Sequence, residues 1–303
     1  MRVDPFFITN LAGSLDQTQA TEQQLTQELA SGVRVTSLGQ DPEAAGENVL
    51  LLNQIQQDDS FTQTSSLVQG QLQVADSALG SVVSQLTQAI SLATGANNGT
   101  LNASDLQSIS NQIAGIRDEV QSLANTSYQG QYIFAGGKTS TVPFSTSNAT
   151  SPAATIYNGD GDVNYLQTPN GQKIQLNVPG DQIFSGAGAN SVFTALNNLV
   201  ADYASGGNIG AAVNDTEALN TALNYVSGQR VVLDNSLSRV NSASEAVTSE
   251  QTQLTAAQTN LMQADLPTIS TQLSLAETQQ TALEDVISQI APGSLFDKLP
   301  IGG

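Results

Sequence analysis

Along one stretch of this chain an apolar residue returns at every seventh position: Leu219, Val226, Leu233, Val240, Val247, Leu254 and Leu261. Such a repeat marks helices packed along a seam. The companion row, Leu223, Arg230, Leu237, Ser244, Gln251 and Gln258, turns polar toward its end, so the seam is predicted to weaken there. A second helix is predicted from Pro42 to about Ala93. Asp41 serves as its N-cap and Pro42 as its first residue. Its seam reads Leu72, Ala75, Leu79, Val82, Leu86, Ala89 and Ala93, while Gly70 and Gly80 each weaken it by about 1 kcal/mol relative to Ala. Leu106, Ile109, Ile113, Ile116, Val120 and Leu123 advance by threes and fours, which predicts a helix capped by Ser104. Val192, Leu196, Leu199 and Tyr203 predict another.

The two ends carry shorter stripes. Leu11, Leu15, Thr18, Leu25 and Leu29 form one, with Glu22 placing a charge in the seam and Gly32 closing the helix. Ile269, Leu273, Ala276, Leu283, Ile287 and Ile290 form the other. It begins after the break at Pro267, with Asp265 as a cap, and stops at Pro292-Gly293. Isolated helices of this length are marginal in water, and a two-helix pair buries little. Leu275, Val286 and Phe296 are left facing solvent in a single copy. The terminal helices are therefore expected to be largely disordered in the free chain and to order when copies stack. Leu11, Leu15, Leu25, Leu29, Ile269, Leu273, Leu283, Ile287 and Ile290 are the candidates for packing between subunits. Leu79, Ile113 and Leu233 are expected to serve an internal core.

Between Gln131 and Phe184 the pattern changes. Short β-type runs, Tyr132–Phe134, Val142–Phe144, Thr155–Tyr157, Val163–Leu166 and Lys173–Val178, alternate with turn signals. Hairpins are predicted at Asn158-Gly159 and Asn170-Gly171. The fold class is then mainly α: a long antiparallel helical hairpin or bundle with a small β-rich insertion domain. Three regions are expected. Residues 1–40 with 265–303 form a terminal coiled coil, 41–130 with 190–264 a helical core, and 131–189 the insertion.

Composition narrows the function. With no Cys and no His among 303 residues, the chain lacks disulfides, thiol nucleophiles, imidazole bases and the commonest metal ligands. It also lacks Trp, and aromatics are 5% of residues, so an aliphatic core is expected. A net charge of −19, from 27 acidic and 8 basic residues, disfavours nucleic acid and anionic membrane surfaces. No stretch is long and apolar enough for a transmembrane helix, and residues 1–10 do not read as a cleaved signal peptide.

Candidate chemistry is sparse. Asn158-Gly-Asp160-Gly-Asp162 resembles the start of a calcium loop. However, Val163 stands where such a loop needs Gly, and Pro169 where it needs Glu, so a turn is the expected reading. Asp58-Asp59 and Glu284-Asp285 are adjacent on helices and do not face each other. Gly186-Ala-Gly188 lacks the Lys of a phosphate loop. No Gly-x-Ser-x-Gly elbow is present. No catalytic, cofactor or metal residue is expected, and no enzyme. Arg230, in an apolar seam, reads as a register-setting residue or, more sharply, as one arm of a salt bridge between subunits.

Several segments taken in order resemble the flagellin superfamily, and within it the hook-filament junction branch. Leu29-Ala-Ser-Gly-Val-Arg-Val-Thr36 with Asp41-Pro42-Glu-Ala-Ala45 is similar to the superfamily's signature loop, although Gln40 replaces the first Asp of its usual pair. Met1-Arg2-Val3, Asn98-Gly-Thr-Leu101, Leu123-Ala-Asn-Thr126, Gly130-Gln-Tyr-Ile-Phe-Ala-Gly136, Pro143-Phe144, Tyr157-Asn-Gly-Asp160, Pro179-Gly180 with Ile183-Phe184, and Ser294-Leu-Phe-Asp-Lys-Leu299 resemble junction segments. The late-helix Arg of flagellins is absent from Gln85 to Ala93, so an immune-receptor contact does not carry over. The resemblance implies an extracellular adaptor between the first hook-associated protein and flagellin, self-associating in a helical ring. It also implies passage through the flagellar type III channel without a cleaved signal, and an export chaperone on the C-terminal helix. A filament-forming flagellin is the alternative, and a secreted adhesin on a helical stalk a further one.

Overall fold

The computed structural model describes residues 5–147, 154–186, 188, 191–204 and 208–290. The elements run α1 (Pro5–Ser31), α2 (Pro42–Ala96), α3 (Ala103–Ala124), β1 (Ser127–Tyr128), β2 (Gln131–Tyr132), β3 (Phe144–Ser147), β4 (Ala154–Tyr157), β5 (Tyr165–Gln167), β6 (Lys173–Gln175), α4 (Gly180–Phe184), α5 (Val192–Ala204), α6 (Ile209–Met262) and α7 (Leu266–Ile290). The chain is mainly α with a small β-rich insertion, as its periodicities predict. It divides into two compact units, 1–56 with 250–303 and 57–249. The divisions fall inside α2 and α6 rather than at helix breaks.

In the second unit the heptad rows close on each other. Leu72, Ala75, Leu79, Val82, Leu86, Ala89 and Ala93 of α2 are buried in one core with Leu219, Val226, Leu233, Val240 and Val247 of α6. Asn97 meets Thr216 at 3.1 Å and Asp76 meets Arg230 further on, so these segments run antiparallel. Arg230 grips the Asp76 carboxylate with two nitrogens, Nη2 to Oδ2 at 3.1 Å, and a Cβ on Gly80 would lie 3.6 Å from the guanidinium. The partner of Arg230 is thus within the chain. In a single copy its salt-bridge partner is therefore Asp76.

α3 lays Leu106, Ile113, Ile116 and Val120 into the same core. Asn102, rather than Ser104, is its N-cap: the Asn102 Oδ1 accepts the Asp105 N–H at 3.0 Å, which places the first helical turn one residue ahead of Ser104. Gly115 lies on the exposed side of α3, and a Cβ there would meet nothing within 4 Å. Gly115→Ala is expected to stabilise the chain by about 0.5–1 kcal/mol, seen as a higher thermal midpoint.

Among the described residues the insertion holds three antiparallel two-stranded ladders, β1–β2, β3–β4 and β5–β6. Asn170-Gly171 makes its hairpin, between β5 and β6, with Gly171 at φ +84°. Asn158-Gly159 does not. The Asn158 N–H and side chain are held by the Pro143 carbonyl and the Ser145 hydroxyl, and this ties the end of β4 back to the start of β3. Asp160 spends Oδ1 on the N–H groups of Gly137 and Asp162, so the carboxylate of the calcium-like motif serves the turn. Two motifs fall partly or wholly outside the described residues: Ala187 of the Gly186–Gly188 run, and the start and end of the junction-like pattern at 1–3 and 294–299.

The core is mostly aliphatic, as expected, but it holds one aromatic cluster. Phe144 is ringed by Tyr157, Phe184 and Phe193 at centroid distances of 5.1, 5.2 and 5.2 Å, and Phe134 meets Phe184 edge-on at 5.9 Å. Much of the small aromatic complement is concentrated where the insertion joins α5. Short ladders bury little aliphatic surface, and large rings fill that space.

At the far end of α5 the Asp202 carboxyl lies against Asp215 of α6, which also accepts from the Asn198 side chain at 3.0 Å. Burial, then the neighbouring carboxylate, pushes Asp202 up to about 6. A carboxyl whose folded pKa exceeds its unfolded value gains protons on folding. Its contribution therefore grows as pH falls through about 6 and fades as pH rises through it. Unit 57–249 should show a higher thermal midpoint at pH near 5 than near 7, and Asp202→Asn should flatten that dependence.

Candidate assembly surface

The first unit is built from the chain ends. Gly32, at φ +68°, closes α1 and sends its N–H back to the Glu28 carbonyl at 2.8 Å. The chain then strides past the joint between α6 and α7. The Arg34 N–H donates to the Met262 carbonyl at 2.7 Å, the Ala264 N–H to Gly32 at 3.0 Å, and Val33 bridges Gln263. The Arg34 side chain reaches the Leu261 carbonyl and the Asp41 carboxylate, at 3.2 and 2.9 Å. Asp41 caps α2 through the Ala44 N–H at 3.0 Å. That N–H and the Arg34 guanidinium hold its carboxyl below the usual range. Gln40, the departure from the signature, gathers the Thr36 N–H, the Thr36 hydroxyl and the Ser37 N–H on one amide oxygen. The signature loop is thus a clasp joining the end of α1 to the start of α7, and the two helices pack antiparallel.

What the pair buries is small. Leu25 packs with Ala264, Ile269 and Ala276, and Leu273 leans on them. Leu11, Leu15, Leu283 and Ile287 are half-buried. Leu29 is 37% exposed, because the inner face of α1 steps from Leu25 to Glu28, which is buried and accepts from Gln24 at 2.8 Å. The side chain of Ile290, like Phe296 and Pro292-Gly293, lies outside the described residues. Leu275 and Val286 are 58% and 40% exposed. They share a second stripe of α7, roughly 100° round from the seam. Val49, Leu50 and Leu52 of α2 are also exposed. Among the described residues no group of acidic side chains could hold a metal ion, and no helix is long and apolar enough to cross a membrane. The surface offers hydrophobic area and amides.

Comparisons with known proteins bear on this arrangement. Residues 8–139, which hold α1, the clasp, α2, α3 and the first hairpin, match the family described as the bacterial flagellin N-terminal helical region. Two solved structures share the fold. The FlgL of Xanthomonas campestris, 17% identical, superimposes with a TM-score of 0.59 over 69% of this chain and 98% of its own. The flagellar junction protein FlgL from Legionella pneumophila, 15% identical, gives 0.58 over 72% and 100%. The fold is that of these FlgL structures. Flagellar hook-associated protein 3 of Escherichia coli strain K12 is 30% identical over 184 residues, 60% of this chain and 56% of that protein. The chain thus spans a little over half the length of that relative. The likeness to the flagellin superfamily and to hook-associated protein 3, carried in the sequence by the signature loop and the Gly130–Gly136 run, is borne out.

Proposed function

We propose that this chain is a structural subunit of the bacterial flagellum, an adaptor joining the hook-associated region to the flagellin filament. One observation carries the reading: in a fold shared with flagellar junction proteins, the terminal pair α1–α7 leaves Leu29, Leu275 and Val286 exposed on either side of a thin seam. Such a pair is completed by neighbouring copies. Leu11, Leu15, Leu25, Leu29, Ile269, Leu273, Leu283, Ile287 and Ile290 then serve self-association, directly or by holding the helix pair together. The first hook-associated protein and flagellin would meet the ring on its two sides. An export chaperone would hold α7 before secretion through the flagellar type III channel to the cell exterior. The chain catalyses no reaction in this reading.

Deletion of the gene tests it. Bare hooks, with flagellin spilled into the medium, are expected. Filamentous, motile cells that lose only surface attachment would overturn it in favour of an adhesin. A filament-forming flagellin differs in a second way, since long filaments grown from the purified chain alone would support that reading instead.

A further inference from the structure

A cleft outside the terminal unit has the chemistry of a small-molecule site. The β1–β2 hairpin lies over α2 where Gly70 leaves room for it: a Cβ at Gly70 would sit 2.4 Å from the Tyr128 hydroxyl oxygen. Between hairpin and helix opens a cleft of about 350 Å³, within the range of ligand pockets. Tyr128 and Tyr132 bound it, Leu67 lies on the α2 side 53% exposed, and Gln71, Gln129 and Gln131 bring amides to it. No lining residue is charged, although the chain carries −19.

The hairpin turn adds an independent observation. Among the described non-glycine residues, Gln129 alone has a positive φ, 51°, followed by Gly130 at 80°. A two-residue turn of this kind favours Asn or Gly at its first position, and other side chains there are strained. Glycine would relieve that strain but would remove the amide that this position brings to the cleft.

From this lining we infer that the cleft binds a neutral sugar, a hexose unit of a larger glycan. Tyrosine rings and an exposed leucine suit the C–H faces of a pyranose. Three amides, each both donor and acceptor, suit hydroxyl groups, which also play both parts. A fixed positive or negative group would find no counter-charge here. The inference does not rest on the flagellar reading, because it concerns the purified chain alone.

The test uses the full chain, isotopically labelled, titrated with maltose, cellobiose and lactose up to tens of millimolar. At least one is expected to shift the Tyr128, Tyr132 and Leu67 signals in a saturable way, while glucuronic acid and an Ala/Gln-rich peptide leave them unmoved. Gln129→Gly is the decisive variant. It should raise the thermal midpoint by relieving the turn, yet weaken sugar binding about tenfold, or 1.4 kcal/mol. Tyr132→Ala should abolish the shifts. If no neutral disaccharide moves these signals, if the peptide binds instead, or if Gln129→Gly binds as tightly as the parent, the inference fails.

Discussion

Phe144→Ala is expected to destabilise unit 57–249 by about 3–5 kcal/mol, the usual cost of emptying a large buried ring site. Phe144 is 2% exposed and touches three other rings. Its ring also lies against Gly180, where an added Cβ would come within 2.8 Å of it. The strand itself would stay pinned, because Asn125 exchanges two 2.8 Å hydrogen bonds with the Phe144 backbone. The loss is therefore one of packing. Ile156→Ala on the paired strand β4, an exposed position, is the control and should change stability by no more than about 0.5 kcal/mol. Denaturant midpoints of the two variants compare them directly. Equal midpoints would mean that the aromatic cluster does not hold the insertion to α5.

The second large effect concerns the chain ends. In dilute monomer, amides of α1 and α7 should exchange orders of magnitude faster than those around Leu79, Ile113 and Leu233. Among the described residues the terminal core contains two large buried side chains, Leu25 and Ile269, beside Ala264 and Ala276. That is little burial to hold two helices that are marginal in water by themselves. The second unit shares one continuous core among α2, α3, α5 and α6. Assembly should slow exchange across Leu11 to Leu29 and Ile269 to Ile287. Slow exchange there in the free chain would show that the helix pair is complete by itself.

Elements with long, regular stripes were legible in the sequence. The row from Leu219 to Val247 and the α3 stripe face the core as their spacing requires, since nothing local competes with a period repeated so often. The α1 seam was legible only to Leu25. Beyond it a step of three or four fits a heptad equally well, and the geometry at the clasp selects Glu28 over Leu29. The clasp itself was visible as Gly32 and Asp41-Pro42, but not the reach of Arg34 to Leu261, which joins residues far apart in the chain. The aromatic cluster was hidden for the same reason. Local dipeptides misled in both directions. Asn158-Gly159 carries the strongest hairpin signal and is used to tie strands back, whereas Gln129-Gly130 carries a weak one and makes the turn.

The account stands on self-association of the chain ends at one place on the flagellum. Gold-labelled antibody against the β-rich insertion, viewed on intact flagella by electron microscopy, tests this most directly. A single narrow band of label where the hook meets the filament is the expected result. Label spread along the filament, or on the cell surface with none on the flagellum, would contradict it.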